Sequence, residues 1–274
     1  MRIALIQQHA TLDKAANLER GLAALEHAAG RGAELACYAE LAFEPFHPQR
    51  PADAHARDLA EPLDGPIVTA FRQRARDLGI VVVLNLFERD GPQSYDSSPV
   101  IDADGALLGV TRMVHITEYA CFHEQGYYTP GNTGAPAYRT RVGMVGVAIC
   151  YDRHFPEYMR ALALNGADIV VVPQAGAVDE WPEGLYEAEM RVAAFQNGYH
   201  VALCNRVGRE DRLEFAGESF VCAPNGHVIG RAARGTDEVL VADIDLADND
   251  RSHARELFMT HRRPELYGEW FAGR

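Results

Sequence analysis

The most constraining feature of this sequence is the segment 143–157, where an apolar run ends on a cysteine and leads directly into a helical pattern. The run 145–149 is small or β-branched throughout, which is typical of a buried strand. Pro156 suits the first turn of a helix, and that helix is predicted to run to a glycine stop at Gly166. Cys150 is therefore expected at the carboxyl end of a strand near a helix N-terminus, where amide groups and the helix dipole favour a thiolate. A buried structural cysteine is the alternative interpretation.

Similar patterns predict alternating strands and helices along the rest of the chain. Helices are expected at 12–29, 67–78 and 186–197, each followed by a glycine. Asp-Gly and Asn-Gly pairs predict two tight hairpins. The predicted strands cover 2–8, 35–38, 80–87, 100–101, 106–114, 168–173, 200–205, 220–223, 227–231 and 239–244. Strands outnumber helices, so we predict an α/β fold in which two mixed sheets pack face to face and helices cover them outside.

Composition restricts the classes of function. The chain has 274 residues, 47% hydrophobic content and a net charge of −13, which disfavours nucleic acid and anionic membranes as partners. No apolar run reaches the ~20 residues of a membrane span. The five cysteines form an odd set without short paired spacings, which predicts a reducing compartment and a cytoplasmic protein. We predict one domain over 1–274, with 247–274 as a tail at an oligomer interface.

Several ordered motifs together resemble the carbon–nitrogen hydrolase (nitrilase) family over nearly the whole chain. They are Cys37-Tyr-Ala-Glu40, Arg112-Met-Val-His115-Ile, Phe122-His-Glu124, Cys150-Tyr-Asp-Arg-His-Phe-Pro-Glu157, Asn205-Arg-Val-Gly208 and Arg262-Arg-Pro-Glu-Leu-Tyr267. The resemblance implies a four-layer α-β-β-α sandwich whose subunits pair into homodimers or higher oligomers. It also implies a Cys–Glu–Lys catalytic site that works on a small molecule without a cofactor.

The resemblance assigns roles to three side chains. Hydrolysis of an amide, ureido group or nitrile through a cysteine needs a nucleophile, a base, an oxyanion donor and an acid for the leaving nitrogen. Cys150 matches the nucleophile, Glu40 the base, and Glu124 a second, positioning carboxylate. Burial of Glu40 in a partly apolar pocket would raise its pKa, as a general base needs. Solvated loop carboxylates are the alternative interpretation of Glu40 and Glu124.

The sequence departs from the family at one catalytic position. Met113 stands two residues before His115, where the family has its catalytic lysine. Methionine has no charge and no hydrogen-bond donor, so it neither stabilises an oxyanion nor moves a proton. Arg112 is adjacent, but neighbouring strand residues point to opposite faces. The Tyr151 amide is then the remaining oxyanion donor, and loss of one donor costs roughly 10²–10³ in rate.

Basic residues beside the nucleophile indicate the substrate. Arg153 and His154 resemble family members that hydrolyse N-carbamoyl amino acids, in which a basic residue holds the substrate carboxylate. The planar fork of arginine suits a carboxylate. We therefore expect an amide or N-carbamoyl acid rather than a nitrile, with Tyr151 and His115 also contacting it. An ion pair between Arg153 and a neighbouring acid such as Asp152 or Glu157 is the alternative.

Three other interpretations of the sequence concern a metal site, a catalytically silent protein and an engineered methionine. His115, Cys121 and His123 lie within nine residues, but their spacing matches no zinc pattern, so no metal site is predicted. A catalytically silent family member that binds a small ligand, or acts as an oligomeric interaction protein, would explain Met113. A methionine introduced by engineering to trap a ligand would explain it equally.

Overall fold

The computed structural model describes residues 1–272, and its elements alternate as the sequence patterns predict. The helices are α1 (Lys14–Gly30), α2 (Pro66–Leu78), α3 (Pro156–Leu164), α4 (Leu185–Asn197), α5 (Ala247–Asp250) and α6 (Pro264–Phe271). The first nine strands are β1 (Arg2–Gln7), β2 (Leu35–Tyr38), β3 (Val81–Val83), β4 (Leu86–Asp90), β5 (Gln93–Ile101), β6 (Leu107–Arg112), β7 (Glu118–Tyr119), β8 (Phe122–His123) and β9 (Ala137–Thr140). The others are β10 (Gly143–Val147), β11 (Ile169–Gln174), β12 (His200–Asn205), β13 (Val207–Arg209), β14 (Glu214–Ala216), β15 (Phe220–Cys222), β16 (Val228–Arg231) and β17 (Glu238–Asp243).

Two mixed sheets form the centre of the molecule. The first has the order β17-β1-β2-β3-β5-β4, with β6 paired to β5, and the second has the order β16-β15-β12-β11-β10-β9. In each sheet the central strands are parallel and the outer strands antiparallel. Parallel strands need both faces covered, which explains why β1, β2 and β11 are buried along almost their whole length.

Side-chain alternation along the strands produces three apolar layers. In β1, Ile3 and Leu5 face the second sheet, whereas Ala4 and Ile6 face the helices α1 and α2. In β11, Ile169 and Val171 lie between the sheets and the alternate valines pack against α3 and α4. The result is an α-β-β-α sandwich, and the predicted fold class is therefore confirmed.

Local signals determine where the helices end. Gly79 and Gly198 follow α2 and α4 with φ values of +66° and +69°, in the left-handed region that glycine adopts without a Cβ penalty. Pro156 begins α3 as predicted. Within residues 1–272, no helix has both the length and the apolar character needed to cross a bilayer.

One predicted strand is wrong in detail. The apolar run 80–87 predicts a continuous strand, but β3 ends at Val83 and β4 begins at Leu86. Between them the Asn85 side chain hydrogen bonds to the Leu41 amide and to the Asp96 carboxyl. This break lies beside the candidate site.

Candidate active site

Three of the predicted site residues lie together between the two sheets. The Cys150 Sγ atom and one carboxyl oxygen each from Glu40 and Glu124 all lie within 4.8 Å of one another. Glu40 and Glu124 are fully buried, and Cys150 is 5% exposed. Glu40 follows β2 in the first sheet and Cys150 follows β10 in the second, so the packing of the two sheets brings the acid to the thiol.

The backbone is strained on both sides of this cluster. Leu41, directly after Glu40, has φ +46°, and Cys150 has φ +43°. Non-glycine residues pay a cost of order 1–3 kcal/mol for such conformations and keep them only where the surrounding structure enforces them. A sharp turn at a strand's end projects the nucleophile's side chain out of the sheet. The same strain at Leu41 turns the chain so that the Glu40 side chain stays inside.

Two buried polar residues that the sequence analysis did not single out hold the Glu40 turn. The Asn85 Oδ1 atom accepts a hydrogen bond of 2.7 Å from the Leu41 amide. The Arg206 guanidinium donates to the carbonyl oxygens of Glu40 at 2.8 Å and Glu44 at 3.0 Å, and also bonds to the Leu41 carbonyl. Arg206 is 1% exposed and its charge pairs with Glu210. A lone asparagine in an apolar run and the arginine of the Asn205-Arg-Val-Gly208 motif were the available signals.

The expected thiolate at Cys150 is not supported by the geometry. A short 3₁₀ turn over Cys150–His154 separates the cysteine from α3, so the thiol does not sit on the first turn of that helix. Burial raises the pKa of the Cys150 thiol well above its usual range, and the nearby Glu40 and Glu124 carboxyls raise it further. Arg153 offsets only part of this effect. Cys150 is therefore a protonated thiol at rest.

The acidic side chains are also protonated more readily than usual. Burial raises the pKa of Glu40 well above its usual range, and the neighbouring Asp96 and Glu124 carboxyls raise it further. Burial likewise raises the pKa of Glu124, although a hydrogen bond of 3.2 Å from the Thr117 amide favours its ionised form. These directions follow from placing several acids in one desolvated site.

No lysine balances the negative charge that the ionised forms of these carboxyl groups would carry. Met113 is fully buried in the apolar layer between the sheets, which also contains Cys150, and its amide donates to the Asp96 carbonyl at 2.9 Å. The chain has one lysine, Lys14, which pairs with Glu44 at 2.7 Å. Arg112 contacts Glu88 at 2.5 Å on the other side of its strand. The family's ammonium group therefore has no substitute among these residues.

Arg153 is the guanidinium closest in sequence to the thiol, and it is 4% exposed. Its Nη1 atom donates to the Cys150 carbonyl at 3.1 Å, and its Nε atom lies 3.5 Å from Glu189. The expected alternative pairs with Asp152 or Glu157 are not formed within residues 1–272. Its Nη2 atom has no hydrogen-bond partner in the described part of the chain, so one donor group is left for a ligand.

The remaining predicted contact residues have separate partners. His154 bonds to Glu189 at 2.6 Å, and the Tyr151 ring lies edge-on to His154 at 5.1 Å. His115 bonds to the buried Asp152 at 2.7 Å and stacks on a phenylalanine ring at 3.5 Å. These contacts hold the segments before and after Cys150 together. Asp152 thus has a structural role, which its position beside Arg153 in the sequence does not indicate.

Metal binding explains this arrangement less well than proton transfer. His115, Cys121 and His123 do not form a ligand cluster anywhere in residues 1–272, where the acid–thiol group is the only set of three close donors. Structural zinc sites have four ligands. Two acids beside a thiol are instead what a general base and a nucleophile require.

Comparison with known proteins identifies the family of this chain. Residues 2–252 match the carbon–nitrogen hydrolase family. A citrullinase of Francisella tularensis is 32% identical over 98% of this chain and 97% of its own, and an N-carbamoylputrescine amidase of Solanum lycopersicum is 31% identical over 97% and 93%. The chain belongs to the carbon–nitrogen hydrolase family.

Solved structures give the same result. A carbon–nitrogen hydrolase from Helicobacter pylori G27 has a TM-score of 0.92 at 27% identity and covers 98% of both chains. An amidase from Nesterenkonia sp. AN1 has a TM-score of 0.82 at 30% identity over 98% of this chain and 96% of its own. That second structure carries an acetamide group added covalently to its active-site cysteine.

Proposed function

We propose that this protein hydrolyses a carbon–nitrogen bond of a small amide or N-carbamoyl compound through a covalent Cys150 intermediate. The observation that carries the proposal is the cluster of the Cys150 thiol with the Glu40 and Glu124 carboxyls, all buried and within 4.8 Å. The family membership supports the same chemistry.

The steps follow from the protonation states. Glu40 removes the proton of the Cys150 thiol as the sulfur attacks the carbonyl carbon, because a base of raised pKa is well matched to an acid of raised pKa. Collapse of the tetrahedral intermediate transfers this proton to the leaving nitrogen. Glu40 then takes a proton from the water that attacks the thioester, and Cys150 recovers its proton. Glu124 holds the substrate nitrogen in place.

The oxyanion is proposed to bind at the turn that carries Cys150. The first amide groups of a helical turn have no acceptor within that turn, and Tyr151 supplies such an amide. With an uncharged Met113, this donor works without an ammonium group. We therefore expect slow turnover.

Arg153 favours a substrate with a carboxylate. Its unpartnered Nη2 atom would donate a charge-assisted hydrogen bond to that group. We predict that an N-carbamoyl acid is hydrolysed about 10-fold or more faster, by kcat/KM, than the matched compounds ending in a methyl or an ammonium group. Ammonia release measures this, and intact-mass spectrometry detects the acyl group on Cys150. A preference for the ammonium compound would assign the recognition to Glu189 instead and contradict the carboxylate proposal.

A second candidate function is ligand binding without turnover. The absence of a lysine beside the acid–thiol cluster favours it, because a thiol of raised pKa without a positive charge beside it is a weak nucleophile. Substrate binding by calorimetry, together with no product and no adduct on Cys150, would select this function over hydrolysis.

We further propose that the chain is one functional unit that pairs with a second copy. Val192 and Phe195 on α4 and Leu257 and Phe258 in the tail are all partly exposed, and the two phenylalanine rings lie 5.4 Å apart. Such an apolar patch is typical of a subunit interface. All five cysteines lie in the described part of the chain as free thiols, which supports the proposed cytoplasmic location.

The pairing is tested by changing this patch. We predict that Phe195→Asp raises the dissociation constant of a dimer at least about 10-fold, because a charge in an apolar interface is costly to desolvate. Light scattering over a concentration series measures it. Leu12→Asp is the control, since Leu12 is 91% exposed and lies before α1 on the opposite helix layer. A monomeric unmodified protein would exclude the proposal.

A further inference from the structure

The acid cluster contains a member with no role in the proposed reaction, Asp96. It lies in β5 on the first sheet and is fully buried. The Asn85 Nδ2 atom donates to Asp96 Oδ1 at 2.5 Å, and the same asparagine accepts from the Leu41 amide. Asn85 therefore holds Asp96 and the Glu40 turn in one fixed arrangement.

The oxygens between Asp96 and Glu40 lack donors. Neither oxygen of Glu40, nor Oδ2 of Asp96, receives a hydrogen bond from any group in residues 1–272. The two carboxyl groups are nevertheless close enough to hydrogen bond with each other. Two ionised carboxylates only accept, so this contact requires a proton on one of them.

The charge balance of the site leads to the same requirement. Fully ionised Glu40, Asp96 and Glu124 would place three negative charges in a dry interior, with Arg153 as the cation that acts on Cys150. Burial of uncompensated charge is avoided by protonation. A proton held between two of the acids reduces the charge that a lysine would otherwise balance.

We propose that Asp96 and Glu40 share one proton and act as a carboxyl pair, in which Asp96 is a positioning residue that controls when Glu40 accepts the Cys150 proton. This inference rests on the proposed hydrolysis. In the reactive form the shared proton lies on Asp96 and Glu40 is ionised. Glu40 then takes the thiol proton, so that the pair holds two protons until Glu40 returns one to the leaving nitrogen.

The surroundings of the pair determine how it titrates. Burial raises the pKa of Asp96 to about 7. The groups that act on the pair from the neighbouring elements are Glu124 and Cys150 beside Glu40, and Asp152, Glu44 and Tyr128 beside Asp96. All are acids, so each disfavours loss of the shared proton. The reaction should therefore fall off as the pH rises far enough to remove that proton.

Asp96→Asn tests the pair because an amide keeps the shape but cannot release a proton. We expect the acidic limb of the kcat/KM profile to stay nearly in place, since the amide donates to ionised Glu40 as the protonated Asp96 carboxyl does. The alkaline limb that reports the shared proton should vanish. Glu88→Gln is the control: Glu88 is almost equally buried but pairs with Arg112, and its profile should keep the alkaline limb.

A measurement without turnover separates this inference from the proposed hydrolysis. Carbon-13 NMR of the unmodified protein labelled at the aspartate carboxyl carbons should contain a resonance that titrates near pH 7, and Glu40→Gln should shift it. This experiment remains decisive if Asp96→Asn does not fold. The absence of any aspartate titrating above about pH 6, or identical pH profiles for Asp96→Asn and the unmodified protein, would overturn the proposal. Inactivity with the expected NMR titration would overturn only the hydrolysis.

Discussion

Cys150→Ala is expected to lower kcat for amide or N-carbamoyl hydrolysis by at least about 10⁴-fold, a larger effect than that of any other single substitution in the site. The thiol supplies the bond to the acyl group, and no neighbouring group replaces it, since the side chains closest to it are the Glu40 and Glu124 carboxyls, which have other roles in the reaction. Stopped assays with ammonia detection measure the loss. Intact-mass spectrometry should find no acyl adduct on the variant.

Cys222→Ala is the matched control for this substitution. Cys222 is also fully buried, but it lies in β15 in the layer between the second sheet and the helices, away from the acid cluster. Its loss should lower the free energy of unfolding by about 1 kcal/mol or more through the lost packing and leave kcat unchanged. Equal turnover by Cys150→Ala and the unmodified protein would contradict a cysteine nucleophile.

Met113→Lys is expected to raise kcat/KM about 10²-fold. An ammonium group in the buried layer beside the acids would stabilise both the thiolate and the developing oxyanion, which replaces a missing preorganised donor. It would lower the pKa of Cys150, because a nearby positive charge favours the charged form of a thiol. Alkylation of Cys150 by a small uncharged reagent should therefore become faster at pH 7. Rates of hydrolysis and of alkylation measure the two effects separately.

Met113→Leu separates charge from packing at this position. Leucine has nearly the volume of methionine and no charge, so this variant should hydrolyse and alkylate at the unmodified rates. Equal activity of the lysine and leucine variants would mean that another donor already stabilises the oxyanion, and His115 would be the first residue to test. A gain in alkylation without a gain in hydrolysis would favour the ligand-binding function.

Local sequence patterns predicted the elements of the fold well, because the arrangement of apolar residues along an element matches the faces that the element buries in its layer. Continuous apolar runs predicted β11 and β12, which are covered on both faces. Glycines that adopt positive φ predicted the ends of α2 and α4. The prediction for 80–87 failed because a single asparagine in this run bonds to the backbone of the turn after β2, a tertiary contact that periodicity does not contain.

The sequence predicted only part of the candidate site. Ordered motifs marked Glu40, Glu124 and Cys150, and the structure brings these three side chains together. Asp96 was not marked, since one acid within a predicted strand region has no distinguishing pattern. Arg206 was included in a motif, but its role in holding the Glu40 turn depends on carbonyl groups more than 160 residues away along the chain.

The sequence alone determined the layered fold, the family and the absence of a lysine at the position of Met113. These features are encoded in residue identity and spacing, which do not depend on folding. The tertiary structure decided the protonation states. The thiol expected to be ionised is protonated because its distance from the helix and its burial among carboxyls outweigh one guanidinium. A pKa depends on desolvation and on charges brought close by folding, and neither can be read from the position of a residue in the chain.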